Sequence, residues 1–204
     1  MTDIDKPQKL SREKTTARRR RHILDAAVMC FLEQGYHQTG VRDIAKRADV
    51  SLGNLYNHFP GKHDVLVEIA MLERNEMKPF LKTLRKSSPA PKILGQFVAA
   101  YAKYLAKPEN VILSIEITNE ALRQPDIATL FLENRQELID ALARMLTRGA
   151  VEGDFRVMPS ADEGAQLLLS VIEGSAYRSV LGEIPMRKIV SSLKDFVLAA
   201  VLVR

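Results

Sequence analysis

Apolar residues recur along nearly the whole chain at intervals of three and four, and no sustained stretch alternates apolar with polar residues between turn signals. Such spacing marks helices with one buried stripe, so the pattern predicts an all-α protein of about nine helices. A first helix opens at the basic run 18–21, carries Leu24, Ala27, Val28 and Phe31 on one face and stops at Gly35, a residue free to take the positive φ of a helix C-terminus. A second shows Val41, Ile44, Ala45 and Ala48 at i, i+3, i+4 and i+7, with Thr39 as its expected cap. Asp49 falls at the turn that follows, and Ser51 is placed to cap a third helix presenting Leu52, Gly53, Asn54, Tyr56 and Asn57. Two short helices across a tight turn, with Phe59 as a core anchor behind them, make a helix-turn-helix. That motif lays the N-terminal half of its second helix in the major groove of DNA.

A fourth helix is expected from Lys62, turning Val65, Leu66, Ile69, Leu72, Leu81 and Leu84 inward. Pro79 should kink or divide it, because proline lacks the N–H that the helix ladder needs. Residues 87–91, with two serines and two prolines, form the clearest linker. Beyond them, segments 91–107, 109–123, 125–149, 160–182 and 185–203 are each bounded by Pro, Gly or a capping residue and read as helices. The last two are apolar over so much of their circumference that each must be buried on several sides. Leu168, Leu169, Ile172, Ala176, Leu193, Phe196, Val197 and Ala200 are therefore expected to meet the same residues of a second copy in a four-helix interface, with burial inside one subunit as the alternative.

Charge sharpens the picture. Residues 1–62 hold 12 Lys and Arg against 7 Asp and Glu, while the other 142 residues balance, so the net charge of +5 lies wholly with the helix-turn-helix. A basic region of that kind attracts phosphates, with a strength that falls steeply as salt rises. The composition, 46% hydrophobic and 27% charged, is that of a globular protein rather than a disordered or membrane one. No apolar run approaches the roughly 18 residues of a membrane span, the N-terminus lacks the apolar core of a secretory signal, and a lone cysteine, Cys30, permits no intrachain disulfide. A cytoplasmic protein that does not engage the membrane is the expectation.

The stretch 23–66, ILDAAVMCFLEQGYHQTGVRDIAKRADVSLGNLYNHFPGKHDVL, resembles the TetR family of tetracycline-repressor-like regulators, above all in Ile44-Ala45, Val50-Ser51, Leu55-Tyr56, His58-Phe59 and Lys62. Asp49 departs from the usual turn glycine, though Asp tolerates the left-handed region better than most residues. Gly40 stands where a second hydroxyl residue is common, which leaves Thr39 as the better phosphate contact. In the second half, NEALRQPDIATLF, EGDFR at 152–156 and IEG at 172–174 resemble the effector domain of a subgroup that includes betaine-responsive repressors. Residues 1–14, polar and charged with Pro7 among them, are expected to form a disordered arm, and the resemblance implies a DNA-binding domain over 15–77 and an effector-binding and dimerisation domain over 78–204.

On this reading Asn54 is the candidate for a bidentate contact to adenine. Gly53 permits close backbone approach. Tyr56 could meet a thymine methyl or a phosphate, Ser51 and Leu52 open the reading helix, and Thr39, Arg42, Asn57, His58 and Lys62 contact the DNA backbone and set register. Phe97, Tyr101, Glu116, Asn119, Arg123, Phe131, Arg135 and Tyr177 lie on or beside apolar helix faces and are candidates to line an effector cavity, where a buried Glu116 would favour a cationic ligand. The function expected is a ligand-responsive transcriptional repressor that binds a palindromic operator as a homodimer and is released by a small-molecule effector. No cofactor or metal is expected. Two other readings are an architectural DNA-binding protein without an effector and an enzyme using the helical cavity. The enzyme fares badly: there is no glycine-rich phosphate loop, nucleophile elbow or metal-ligand cluster, and His22, His37, His58 and His63 all lie in or beside the DNA-binding domain.

Overall fold

The computed structural model describes residues 6–182 and 184–203, with side chains from Thr15 onward. They form α1 (Lys6–Gln34), α2 (Val41–Arg47), α3 (Leu52–Tyr56), α4 (Lys62–Leu84), α5 (Ala90–Leu105), α6 (Pro108–Ala121), α7 (Pro125–Val151), α8 (Ala161–Val180) and α9 (Met186–Val201). Among the described residues there is no strand, only an isolated antiparallel bridge between Phe155 and Leu202. No helix among them is long and apolar enough to cross a membrane.

Two compact units divide between Met71 and Leu72, inside α4; the expected boundary lay six residues later on the same helix. Residues 1–5 of the expected disordered arm are outside the described residues, but α1 is already helical at Lys6. The correction has a local cause. Residues 6–21 contain no glycine and are rich in Lys, Arg, Gln and Glu, good helix formers, and Pro7 sits in the first turn, where its missing N–H costs nothing. Pro79 likewise does not divide α4: it lies on an exposed face, where water can satisfy the carbonyl it leaves free.

In the first unit the buried stripe of α1 (Ile23, Leu24, Ala27, Cys30, Phe31) packs with Ile44 and Ala45 of α2, Leu55 of α3 and Phe59. Gly35, at φ 81°, ends α1 as expected. In the second unit α5 packs against α6, α7, α8 and α9, and Ile93, Leu94, Phe97, Val98 and Ala102 are fully enclosed. Prolines open α6 and α7 at the first helical position, where φ is already set for a helix. The α7–α8 connection is held by Phe155, whose ring fills the space beside Gly149 so closely that a Cβ there would lie 2.3 Å from it.

Candidate functional site

The helix-turn-helix is assembled by short-range chemistry. Asp43 Oδ2 accepts the Gly40 N–H at 2.7 Å, so Gly40, and not Thr39, caps α2. Thr39 is buried at 1% exposure, and its hydroxyl donates back to the Gly35 carbonyl at 2.8 Å. It is therefore turned away from any phosphate. Asp49 takes φ 50° at the turn, and Ser51 Oγ accepts the Asn54 N–H at 3.1 Å to cap α3.

Leu55 faces the core, which leaves Gly53, Tyr56 and Asn57 exposed together on the outer face of α3, with Arg42 exposed on α2. Nothing lies within 4 Å of the Gly53 Cβ direction, so this face is open to close approach. Ser51 is exposed, while Leu52, Asn54 and His58 are half-buried. The Asn54 side-chain oxygen is buried with no hydrogen-bond partner, a state that costs about 1–3 kcal/mol.

Two cations tie together the segments that flank the reading helix. Arg20 lies 4.2 Å from the centre of the Phe59 ring, donates to the His58 carbonyl at 2.7 Å and pairs with Glu68 at 2.8 Å. Lys62 sits over the Tyr36 ring at 4.2 Å and donates to the Tyr36 carbonyl at 2.7 Å. Lys62, expected as a phosphate contact, ties the start of α4 to the α1–α2 loop.

The second unit contains a cavity of about 140 Å³ lined by α4, α5, α6, α7 and α8. Of the residues named as candidates, Tyr101, Phe131, Arg135 and Tyr177 line it. Phe97 does not: it is buried behind Tyr101, their rings 5.5 Å apart and nearly parallel. Glu116, Asn119 and Arg123 are also outside the lining, and Arg123 is exposed and bonded to Asn119. The face of α6 that enters the cavity is instead Asn110, Ser114 and Thr118, spaced four apart. Helix geometry puts Glu116 about 200° around the axis from Ser114.

Sequence reasoning also missed two carboxylates. Glu173 on α8 accepts from the Tyr101 hydroxyl at 3.2 Å and pairs with Arg135 at 3.2 Å, so its charge is answered. Glu73 on α4 is not answered: its Oε2 is buried with no hydrogen-bond partner. Burial, and then the negative charge of Glu173, push its carboxyl up to about 7. Burial and Glu173 also raise the Tyr101 hydroxyl, and burial and Glu73 raise that of Tyr104. Tyr101 and Tyr104 are stacked, and the edge of Phe80 packs on both. The result is an aromatic wall beside an uncompensated acid.

The expected dimer residues need a correction. Leu168, Leu169, Ile172, Ala176, Leu193 and Val197 are at most 6% exposed and lie in the core of their own unit. They are consumed by α8 packing on α7 and α9, and by α9 packing on α5. Of the eight, Phe196 is 61% exposed and Ala200 half-buried. Exposed apolar side chains do remain on these helices, at Leu167 and Val171 on α8 and at Phe196 and Ala199 on α9.

Comparison with known proteins agrees with this geometry. Residues 23–69 match the family described as bacterial regulatory proteins, tetR family. Residues 94–201 match that described as BetI-type transcriptional repressor, C-terminal. The chain is 27% identical over 172 residues to the fatty acid metabolism regulator protein of Bacillus subtilis, covering 79% of this chain and 83% of that one. Its fold is similar to that of a Saccharomonospora viridis transcriptional regulator crystallised in complex with choline, with a TM-score of 0.82 at 23% identity over 92% of this chain and 100% of the other. It is similar also to FadR from Bacillus subtilis in complex with stearoyl-CoA, with a TM-score of 0.75 at 22% identity over 87% and 97% of the two chains. With a helix-turn-helix matched at one end and a repressor domain matched over more than half its length, the chain belongs to the tetR family of bacterial regulatory proteins and is a transcriptional repressor with a BetI-type C-terminal domain.

Proposed function

We propose that the protein binds a two-fold-related operator as a homodimer and is released from it by a compact organic cation held in the cavity of the second unit. The observation that carries the effector class is Glu73. Arg135 answers Glu173, so one carboxyl is left over beside the Tyr101 and Tyr104 rings. A cation against aromatic faces with a carboxylate behind it is stabilised by both. A volume near 140 Å³ suits a choline-sized ligand and has no room for a stearoyl chain. An architectural DNA binder would have no use for such a site, and the proposed role requires no catalytic group.

On the DNA side, Arg42, Gly53, Tyr56 and Asn57 form the accessible reading surface, flanked by Ser51, Leu52 and His58. Asn54 joins it by swinging its amide outward, which exchanges an unpaired buried oxygen for a base edge. Leu167, Val171, Phe196 and Ala199 supply the apolar surface for the second subunit. Selection of bound duplexes from a random pool tests the reading. The consensus should be an inverted repeat that two subunits occupy. A consensus without two-fold symmetry, bound by a monomer, would overturn it.

A further inference from the structure

The helix α1 is longer than the unit it serves. Among the described side chains its buried stripe begins at Ile23, and Arg20 makes the hydrogen bond to the His58 carbonyl just before it. Residues 6–19 extend beyond that point as 14 helical residues, about 21 Å at the usual rise. Thr15, Thr16, Ala17, Arg18 and Arg19 are exposed, and Leu10 is the one large aliphatic side chain in the segment. A helix without an apolar stripe cannot pack on a protein core or insert into a bilayer surface.

What the extension does carry is charge. Six Lys and Arg against one Glu give it +5, as much as the whole chain. Basic residues at 6, 9 and 12 are spaced by three, and those at 14 and 18 by four, separations at which like charges on a helix repel. Such a helix is stabilised when a polyanion supplies the missing negative charge. Its point of departure is equally telling. The Arg20 contact fixes it beside His58 and Phe59, two and three residues past the end of the reading helix α3.

We infer that residues 6–19 of α1 form a second DNA-contacting element, whose Lys and Arg side chains neutralise phosphates flanking the operator half-site without reading bases. The inference rests on the operator binding proposed above. It is tested with the full chain carrying Lys9→Gln, Arg12→Gln, Arg18→Gln and Arg19→Gln together; Arg20 and Arg21 are left intact because Arg20 braces the reading helix. The probes are the selected duplex trimmed to its consensus, and the same duplex lengthened by about ten base pairs, one helical turn, at each end.

The wild type should bind the longer duplex more tightly, and the variant should not distinguish the two. Between 50 and 200 mM salt the wild-type affinity should fall about 10–100-fold more than that of the variant, as expected for two to four phosphates, with base preference unchanged. The charge-conserving variant Arg12→Lys, Arg18→Lys, Arg19→Lys should behave as wild type. Equal salt and length dependence in wild type and Gln variant, an altered base preference, or loss of the salt dependence in the Lys variant would overturn the inference. If the wild type selects no duplex at all, the operator reading fails instead.

Discussion

Replacing Glu73 with glutamine keeps the shape of the cavity wall and removes its charge. In the wild type, burial and then Glu173 hold this carboxyl at about 7, so near neutrality it is half protonated. A cation entering the cavity selects the ionised form, and a proton leaves as the ligand arrives. With that pKa the ionised fraction is about 0.1 near pH 6 and about 0.9 near pH 8, and apparent affinity scales with the competent fraction. The Kd of choline or tetramethylammonium should therefore fall about tenfold across those two units, with about half a proton released per ligand near pH 7. Glu73→Gln should lose this pH dependence and bind about 10–100-fold more weakly near pH 8, the worth of one charge-assisted contact in a dry site. Calorimetric titration in two buffers of different ionisation enthalpy reads both the Kd and the proton count. A wild-type Kd that is the same at both pH values, or a Gln variant that binds as well as wild type near pH 8, would refute the argument. The ligand-free protein should show the reciprocal trend. Because the folded pKa is raised from 4.5, the stability contributed by protonated Glu73 is complete below 4.5 and lost as pH rises through about 7. In thermal melts the Gln variant should lack this component.

At the proposed subunit contact, Leu167→Arg or Phe196→Arg places a charge on an exposed apolar face; sedimentation should show a folded monomer with weakened operator binding, and a stable dimer from both would move the interface elsewhere. Val197→Arg, at 0% exposure, should instead unfold the chain, costing about 3–5 kcal/mol. Arg20→Ala removes a ring contact, a carbonyl bond and an ion pair at once, so chemical denaturation should show a loss of about 2–3 kcal/mol and operator affinity should drop for all sequences alike. Asn54→Ala should cost about 1–3 kcal/mol of discrimination at one base position per half-site, and an unchanged specificity profile would remove Asn54 from the reading set.

Local signals were legible in the sequence, and long-range ones were not. The stripe of α2, the Ser51 cap and the left-handed Asp49 depend on neighbours within four residues, and all three are as the pattern predicts. The cap is Gly40 rather than the expected Thr39 because Asp43 supplies the capping oxygen from inside the helix. The tie of Lys62 to the carbonyls of Tyr36 and His37 was not legible, because they lie some 25 residues away. Glu73 and Glu173 could have been found. Each falls in register with a buried stripe, Glu73 between Ile69 and Met77, and Glu173 between Leu169 and Ala176, and an acid in an apolar register marks a cavity or a partner. The apolar circumference of α8 and α9 announced two covered faces without saying which belongs to the subunit's own core. Composition sets how much of a helix is hidden, and only packing order decides by what.

The central claim, a repressor whose DNA affinity is set by a cation in the second unit, is tested most directly by titrating the selected operator with and without saturating choline near pH 8. Choline should weaken operator binding by about 5–150-fold, and operator should weaken choline binding by the same factor, because coupling between two sites is reciprocal at equilibrium. An operator affinity unchanged while calorimetry shows the cavity filled would contradict the claim.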